Sequence, residues 1–141
     1  MIDKRRPNEG NTTLSKTLIV TNNPLVDATC AAYSGCEIRY VEGNVENLLI
    51  AVRDMVYAGH PLVSHPLPAS IRMIYSPYRS VVMSASAELL DSWHAETIEE
   101  SLRKYRQSAQ HRARDETNAE AYKWMDAQLL SAALQEPIPF N

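Results

Sequence analysis

Glycine, cysteine and long apolar runs are all scarce in this chain of 141 residues. The four glycines, at positions 10, 35, 43 and 59, form neither a GxGxxG fingerprint nor a GxxxxGK[ST] loop, which argues against the common dinucleotide and P-loop phosphate sites. There is no GxSxG segment, so the serines have no recognisable nucleophile setting. The longest apolar runs, such as 48–52, are too short to cross a bilayer, and we expect no membrane partner.

Positive charge is also scarce, because 14 Lys and Arg residues face 17 Asp and Glu residues and the net charge is −3. The charge falls along the chain, from +2 in residues 1–16 to −1 in 17–86 and −4 in 87–141. Nucleic-acid binding needs a broad basic face that neutralises phosphates, so we expect no nucleic-acid partner. The basic start at residues 4–6 is not followed by an apolar segment, so it is no secretory signal and a cytoplasmic protein is expected.

With two cysteines and 45% hydrophobic residues, the composition fits a globular domain that folds without a disulfide framework. Residues 1–16 have little apolar content and are predicted to be a flexible arm. Residues 17–141 are predicted to form a single α/β domain, with a sheet core in 17–86 and a helical part in 87–141. Cys30 and Cys36 are interpreted either as free thiols or as a redox pair, and their spacing does not decide between these.

Four short apolar runs predict strands at Thr17–Thr21, Glu37–Val41, Pro61–Ser64 and Ser80–Ser84. Helices are predicted between the first three runs, one from Pro24 to Gly35 and one from an Asn44 cap to Gly59. This alternation favours βαβ units, and hence a three-layer α/β domain with a small, mainly parallel four-stranded sheet in the order 2-1-3-4.

Two additional amphipathic helices are predicted after Ser86, with Thr97–Glu100 and Thr117–Glu120 as capping boxes. They can cover a face of the sheet, form a helical subdomain or pack against a second copy of the chain.

Polar residues follow the first three predicted strands: Thr21, Asn22, Asn23, Glu42, Gly43, Asn44, Ser64 and His65. Ligands of open parallel sheets bind outside the carboxyl ends of the strands, so these residues predict a site for a small anion. The alternative is that the asparagines are ordinary helix caps. The loop that follows adds Arg72, Tyr78 and Arg79, whose side chains suit a carboxylate or phosphate unless they are simply solvated.

His65 is the sharpest single candidate, because it follows a buried strand and precedes a proline-rich loop. Its imidazole can act as a general base, donate a hydrogen bond to a ligand or tie the loop down. His60 lies an odd number of positions away, which on a strand points its side chain to the opposite face. His94 and His111 fall in charged helical surroundings and are expected to be solvated. The sequence therefore predicts no metal and no cofactor.

Four short segments resemble the GrdX-like family: Leu18–Val26 (LIVTNNPLV), Tyr40–Gly43 (YVEG), His65–Leu67 (HPL) and Pro77–Val81 (PYRSV). The resemblance covers about residues 17–86 and leaves the N-terminal arm and the last helix outside. It implies a small protein encoded beside glycine, sarcosine and betaine reductase systems in amino-acid-fermenting bacteria. That family offers no established activity to carry over.

Three hypotheses follow for function. The leading one is an accessory or regulatory protein that binds a small anionic, amino-acid-derived metabolite at the strand ends. The second is an interaction or homodimerisation module, whose C-terminal helices carry the aromatic residues Trp93, Tyr105, Tyr122 and Trp124. The third is an enzyme in which His65 is the base and Glu42 orients it, and the sequence leans against this one.

Overall fold

The computed structural model describes residues 17–26, 36–70, 72–111 and 115–135. The strands are β1 (Thr17–Thr21), β2 (Glu37–Tyr40) and β3 (Ser80–Ser84), and the helices are α1 (Val45–Tyr57), α2 (Ser92–His111) and α3 (Ala119–Gln135). One short 3₁₀ turn, Arg72–Tyr75, precedes β3. The predicted arm 1–16, the predicted helix beyond residue 26, Cys30 and the C-terminal tail lie outside the described residues, and the proposed domain division stays a prediction.

Strand β1 is the centre of the sheet because its apolar, β-branched residues can be covered on both faces. All five of its residues are buried. The strand order is β2-β1-β3. Strand β2 runs parallel to β1, with Ile19 opposite Ile38, whereas β3 runs antiparallel to β1, with Ile19 opposite Val82.

The predicted four-stranded, mainly parallel sheet is therefore wrong, since the described part of the chain forms a mixed sheet of three strands. A parallel neighbour needs a long crossover, usually a helix, but only the 3₁₀ turn lies between His65 and Arg79. The chain turns back at the same edge of the sheet, and β3 consequently enters antiparallel to β1.

The segment 61–64, predicted as a strand, makes only the isolated bridge between Leu62 and Met83. The backbone N–H groups of Val63 and Ser64 both donate to the carbonyl of Val82 (2.9 and 3.0 Å), so the regular ladder does not form. The hydroxyl of Ser64 accepts the N–H of Val82 instead (2.9 Å). A side chain has thus replaced the backbone partner that a fourth strand would have supplied.

Helix α1 confirms the prediction made from its caps and apolar spacing. Asn44 accepts the N–H of Asn47, and the Asn47 side chain accepts the N–H of Asn44, which together form a capping box. After the helix, Gly59 has a φ of 107°, in the region that favours glycine. A Cβ there would collide with the carbonyl oxygen of Glu88.

The starts of the last two helices differ from the predicted capping boxes. Helix α2 begins at Ser92, where the carboxylate of Asp91 accepts the N–H of Trp93 (2.9 Å). Thr97 lies inside the helix and donates its hydroxyl to the carbonyl of Trp93. Before α3, which begins at Ala119, the carboxylate of Asp115 accepts the N–H of Thr117 (3.1 Å), so it holds the turn that precedes the helix.

The helices form the outer layers on both faces of the sheet, which the alternation of side chains along β1 makes clear. Leu18 and Val20 pack with α1 and α2 in one core, whereas Ile19 packs with α3 in the other. Helix α2 contributes Ile98, Leu102 and Tyr105 to the first core, and α3 contributes Leu130 and Leu134 to the second. The C-terminal helices are therefore integral to the two cores. No helix in the described part of the chain combines the length and apolar content needed to cross a membrane.

Candidate functional site

The edge of the sheet where β1 ends carries most of the predicted site residues. Asn22 is buried there, and its amide nitrogen donates to the carbonyls of Gly43 and Pro77, both at 3.0 Å. Its amide oxygen accepts the backbone N–H of Arg79 (2.9 Å). The structure thus uses this side chain to join the ends of β1, the β2–α1 turn and the entry to β3.

Asn23 is also buried, and its side chain reaches helix α3. Its amide nitrogen donates to the carbonyl of Lys123 (2.8 Å) and to the carboxylate of Asp126 (2.9 Å). Its amide oxygen accepts the N–H of Leu25 (3.0 Å), as a capping side chain does. Asn23 therefore acts as a cap through one hydrogen bond, and its two other side-chain hydrogen bonds join the end of β1 to α3.

Asp126 is the residue that sequence reasoning missed. It is 1% exposed, and its two oxygens accept the Ser80 N–H (2.9 Å), the Ser80 hydroxyl (2.7 Å) and the Asn23 amide. One signal was present in the sequence, because Asp126 lies four positions after Tyr122 and four before Leu130, in line with the apolar face of the helix. A lone carboxylate in such a stripe needs a buried partner.

Thr21 completes this hydrogen-bond network. Its hydroxyl lies 2.7 Å from that of Ser80 and accepts the backbone N–H of Asn23 (2.9 Å). Because the Ser80 hydroxyl donates to the Asp126 carboxylate, the Thr21 hydroxyl is the donor to Ser80. The resulting chain of donors runs from β1 through β3 to α3.

Arg79 connects this network to His65 through backbone groups. Its Nε donates to the carbonyl of Pro66 (2.9 Å) and its Nη2 donates to the carbonyl of His65 (2.6 Å). Desolvation of the guanidinium lowers its pKa, and the nearby Asp126 carboxylate acts in the opposite direction. The guanidinium therefore holds the start of the proline-rich loop and brings a positive charge beside it.

His65 itself lies at the end of the segment 61–64, on the same edge of the sheet as Asn22. Its Nδ1 lies 3.0 Å from the backbone nitrogen and 3.2 Å from the carbonyl oxygen of Leu67, so the backbone of Leu67 holds this ring nitrogen in either tautomer. Desolvation of the ring lowers its pKa, the Leu67 carbonyl raises it, and the charges of Arg79 and Lys104 lower it further. Both cations therefore favour the neutral form of this imidazole.

The other predicted residues have separate roles. The carbonyl of Gly43 accepts from Asn22, Asn44 caps α1, and Ser64 bonds to β3, so all three stabilise the scaffold. The ammonium of Lys123 lies over the ring of Tyr78, with 5.6 Å between Nζ and the ring centroid. Glu42 and Arg72 are exposed.

A groove of about 780 Å³ opens beside His65, between the proline-rich loop and helix α2. The loop side is formed by His65, Leu67, Pro68, Ala69 and Ile74. The helix side is formed by Trp93, Glu96, Thr97, Glu100, Ser101 and Lys104, whose spacing of three and four positions places them on one face. The groove thus joins His65 to a helix that the predicted site did not include.

The described residues contain no group of three or more His, Cys, Asp or Glu side chains placed to share a metal ion. His60 has its Nδ1 3.0 Å from the carbonyl of Ser84, and His94 accepts the N–H of Leu62 (3.2 Å). The expectation that His94 is merely solvated is therefore wrong, because it fixes the start of α2 against the segment 61–64.

A family model described as GrdX-like protein matches residues 18–135. The match continues through α3 and so extends beyond the 17–86 region in which the sequence motifs lie. No curated protein and no solved structure matches the chain. Because the family model spans most of its length, the chain belongs to the GrdX-like family.

Proposed function

We propose that this chain is an accessory or regulatory protein that binds a small anionic metabolite in the groove at His65. The observation that carries the proposal is a groove lined by both His65 and Lys104, with the Arg79 guanidinium bonded to the His65 and Pro66 carbonyls behind the loop. A cation in a partly apolar cleft attracts an anion more strongly than it would in open solvent, and the groove carboxylate nearest to Lys104, Glu100, is shared with Arg103. The family resemblance adds amino-acid reductase metabolism as the setting of this proposal.

Size and composition support a small molecule as the ligand. A groove of about 780 Å³ lies within the range of small-molecule sites, which are mostly apolar and carry a few polar groups that fix orientation. Of the residues predicted to contact the ligand, His65 lines this groove and Arg79 lies behind it. Asn22 and Asn23 support the proposed site indirectly, because their side chains are engaged in the network that positions Arg79 and the strand ends.

Thermal unfolding with a panel of carboxylates, phosphate, sulfate, amino acids and nucleotides tests the proposal. A ligand that binds only the folded chain at about 100 times its Kd stabilises it by about 2.7 kcal/mol, which raises Tm by roughly 10 °C. We expect an anion to produce such a rise in the wild type and a much smaller one in His65→Gln, whose amide can still accept the Leu67 N–H. Gln107→Ala, on another face of α2, is the matched control and should respond like the wild type. A panel in which no anion raises Tm would refute the proposal.

An interaction module is the second candidate, and the exposed apolar residues favour it. Trp124 (59% exposed) and Leu129 (47%) lie on the outer side of α3, and Leu89 (96%) precedes α2. Removing the helical part is no test of this candidate, because α2 and α3 complete both cores. Sedimentation equilibrium of the full chain and of Trp124→Glu is a direct test. A wild-type dimer that the substitution dissociates would support the module, and a monomer for both proteins would argue against homodimerisation.

The catalytic hypothesis receives no support from the position of His65. An orienting carboxylate would hold one ring nitrogen, but Nδ1 of His65 is held by the backbone of Leu67. Glu42 lies exposed before the Asn44 cap. We therefore retain binding as the proposed function.

A further inference from the structure

We propose that the ligand of the His65 groove is an amphipathic monocarboxylate, with its carboxylate at His65 and Lys104 and its apolar chain extended toward Trp93. This inference rests on the proposed function and specifies the class of anion.

Lys104 is the cation among the residues that line the groove, and its ammonium lies at one end, beside the Glu100 carboxylate that it shares with Arg103. Lys104 lies in the last turn of the helical lining and Trp93 lies in the first. The Lys104 ammonium leans back toward Glu100, with 3.8 Å between Nζ and Oε2, as helical side chains lean toward the N-terminus. The ammonium therefore lies near the level of residue 100, about 10 Å along the helix axis from Trp93 at 1.5 Å per residue.

Apart from Glu96, the remainder of the groove is apolar or has its polar groups engaged in hydrogen bonds or ion pairs. Leu67, Pro68 and Ile74 supply aliphatic surface on the loop side, and Trp93 is 38% exposed at the far end. The hydroxyls of Thr97 and Ser101 donate to backbone carbonyls one turn earlier, at 2.8 and 2.7 Å. An apolar chain of about 10 Å laid along this surface removes it from water, which stabilises the complex without further polar partners.

The acidic residues of the groove limit the ligand to one negative charge. Glu100 pairs with Arg103 and Lys104, whereas Glu96 lies one turn nearer to Trp93. A second anionic group on the ligand would lie toward Glu96, where the described lining has no cation. Like charges at such a distance repel each other, so dicarboxylates are disfavoured.

A phosphate group is also a poor fit at the positive end. Phosphate sites commonly use the planar fork of an arginine or several backbone N–H groups. Here Nε and Nη2 of Arg79 donate to the carbonyls of Pro66 and His65, so its fork is already engaged. A lysine ammonium and an imidazole suit a carboxylate with a single charge.

Octanoate is the probe for the test, because its length matches the apolar part of the groove. Octanamide has the same chain without the charge, suberate has a second carboxylate at the far end, and acetate has the carboxylate without the chain. The chain contains two tryptophans, so Trp124→Phe leaves Trp93 as the single fluorophore inside the groove. Binding is followed by the Trp93 emission in this background.

We expect octanoate to bind about tenfold more tightly than octanamide, suberate or acetate. In Lys104→Gln the ratio of the octanamide Kd to the octanoate Kd should fall about fivefold. The reason is that the substitution removes one solvent-accessible ion pair, which contributes about 1 kcal/mol. Arg106→Gln is the matched control, since Arg106 lies on the same helix, does not line the groove and pairs with Glu46 outside it, and it should keep the advantage. The comparison of four ligands on the wild-type groove remains decisive should a variant fold poorly.

Octanamide binding as tightly as octanoate would overturn the inference, as would tighter binding of suberate or phosphate. In the case of tighter suberate or phosphate binding, the proposed function stands and only the ligand class is wrong. Absence of binding by every anion, here and in the wider thermal panel, would overturn both.

Discussion

Removal of the Asp126 carboxylate by substitution tests the structure most directly. This carboxylate is buried, and it accepts three hydrogen bonds from Asn23 and Ser80, which lie 103 and 46 positions away in the sequence. A hydrogen bond to a charged group contributes about 1.5 to 3 kcal/mol, and a buried donor left without an acceptor costs a comparable amount. With partial relaxation and water entry, we expect Asp126→Ala to lower the free energy of unfolding by about 4 kcal/mol.

Asp126→Asn removes the second acceptor oxygen and keeps the shape of the side chain, so it tests the contribution of that oxygen alone. The amide oxygen can still accept the Ser80 N–H, and the Ser80 hydroxyl can reverse to accept from the new amide nitrogen. The amide nitrogens of residues 126 and 23 would then face each other as two donors. Loss of one hydrogen bond to a charged acceptor and this mismatch predict a decrease of about 2 kcal/mol.

Urea unfolding followed by circular dichroism measures both decreases as shifts in the midpoint at unchanged m-value. Asp54→Asn, on the exposed side of α1, is the control and should stay within about 0.5 kcal/mol of the wild type. If Asp126→Asn were as stable as the wild type, the carboxylate would not be the acceptor that joins α3 to the sheet. If Asp126→Ala cost less than about 1 kcal/mol, the whole network would be marginal to stability.

Three further predictions concern single positions. Desolvation and the charges of Arg79 and Lys104 lower the pKa of His65 below its ordinary value of 6.5. The folded state therefore binds fewer protons than the unfolded state, and the stability contributed by the neutral ring is lost as pH falls below 6.5. His65→Gln should flatten this part of a pH series of Tm measurements, and an unchanged slope would contradict the assignment. Asn44→Ala should lower the free energy of unfolding by about 1 kcal/mol through loss of the cap, with exposed Gln107→Ala as the control, and a change below the error of urea titrations would contradict the capping box. Gly59→Ala should cost at least about 1 kcal/mol, because its φ of 107° and the Glu88 carbonyl oppose a Cβ, and a stabilising effect in the same titration would show that the turn adopts another conformation.

The sequence by itself determined the elements that depend on near neighbours. The continuous apolar run of β1 and the spacing and caps of α1 specify structure over one or two turns of chain, and both elements formed where they were predicted. The gathering of Asn22, His65 and Arg79 at one edge was also foreseeable in part, because Asn22 follows β1 and His65 follows the segment 61–64, whereas Arg79 lies there because β3 begins at that edge. Family membership was evident from four short segments, although the match extends further along the chain.

The tertiary structure alone decided the direction of β3, the orientation of the strand-end side chains and the location of the groove. Strand direction depends on whether the chain between two strands forms a crossover helix, and the residues before β3 form only one short turn. Asn23 points inward because its partner is Asp126, which no local pattern brings near it. The groove at His65 likewise exists because α2 packs beside a loop that lies about one fifth of the chain earlier, and contacts between such distant residues are set by the packing of whole elements.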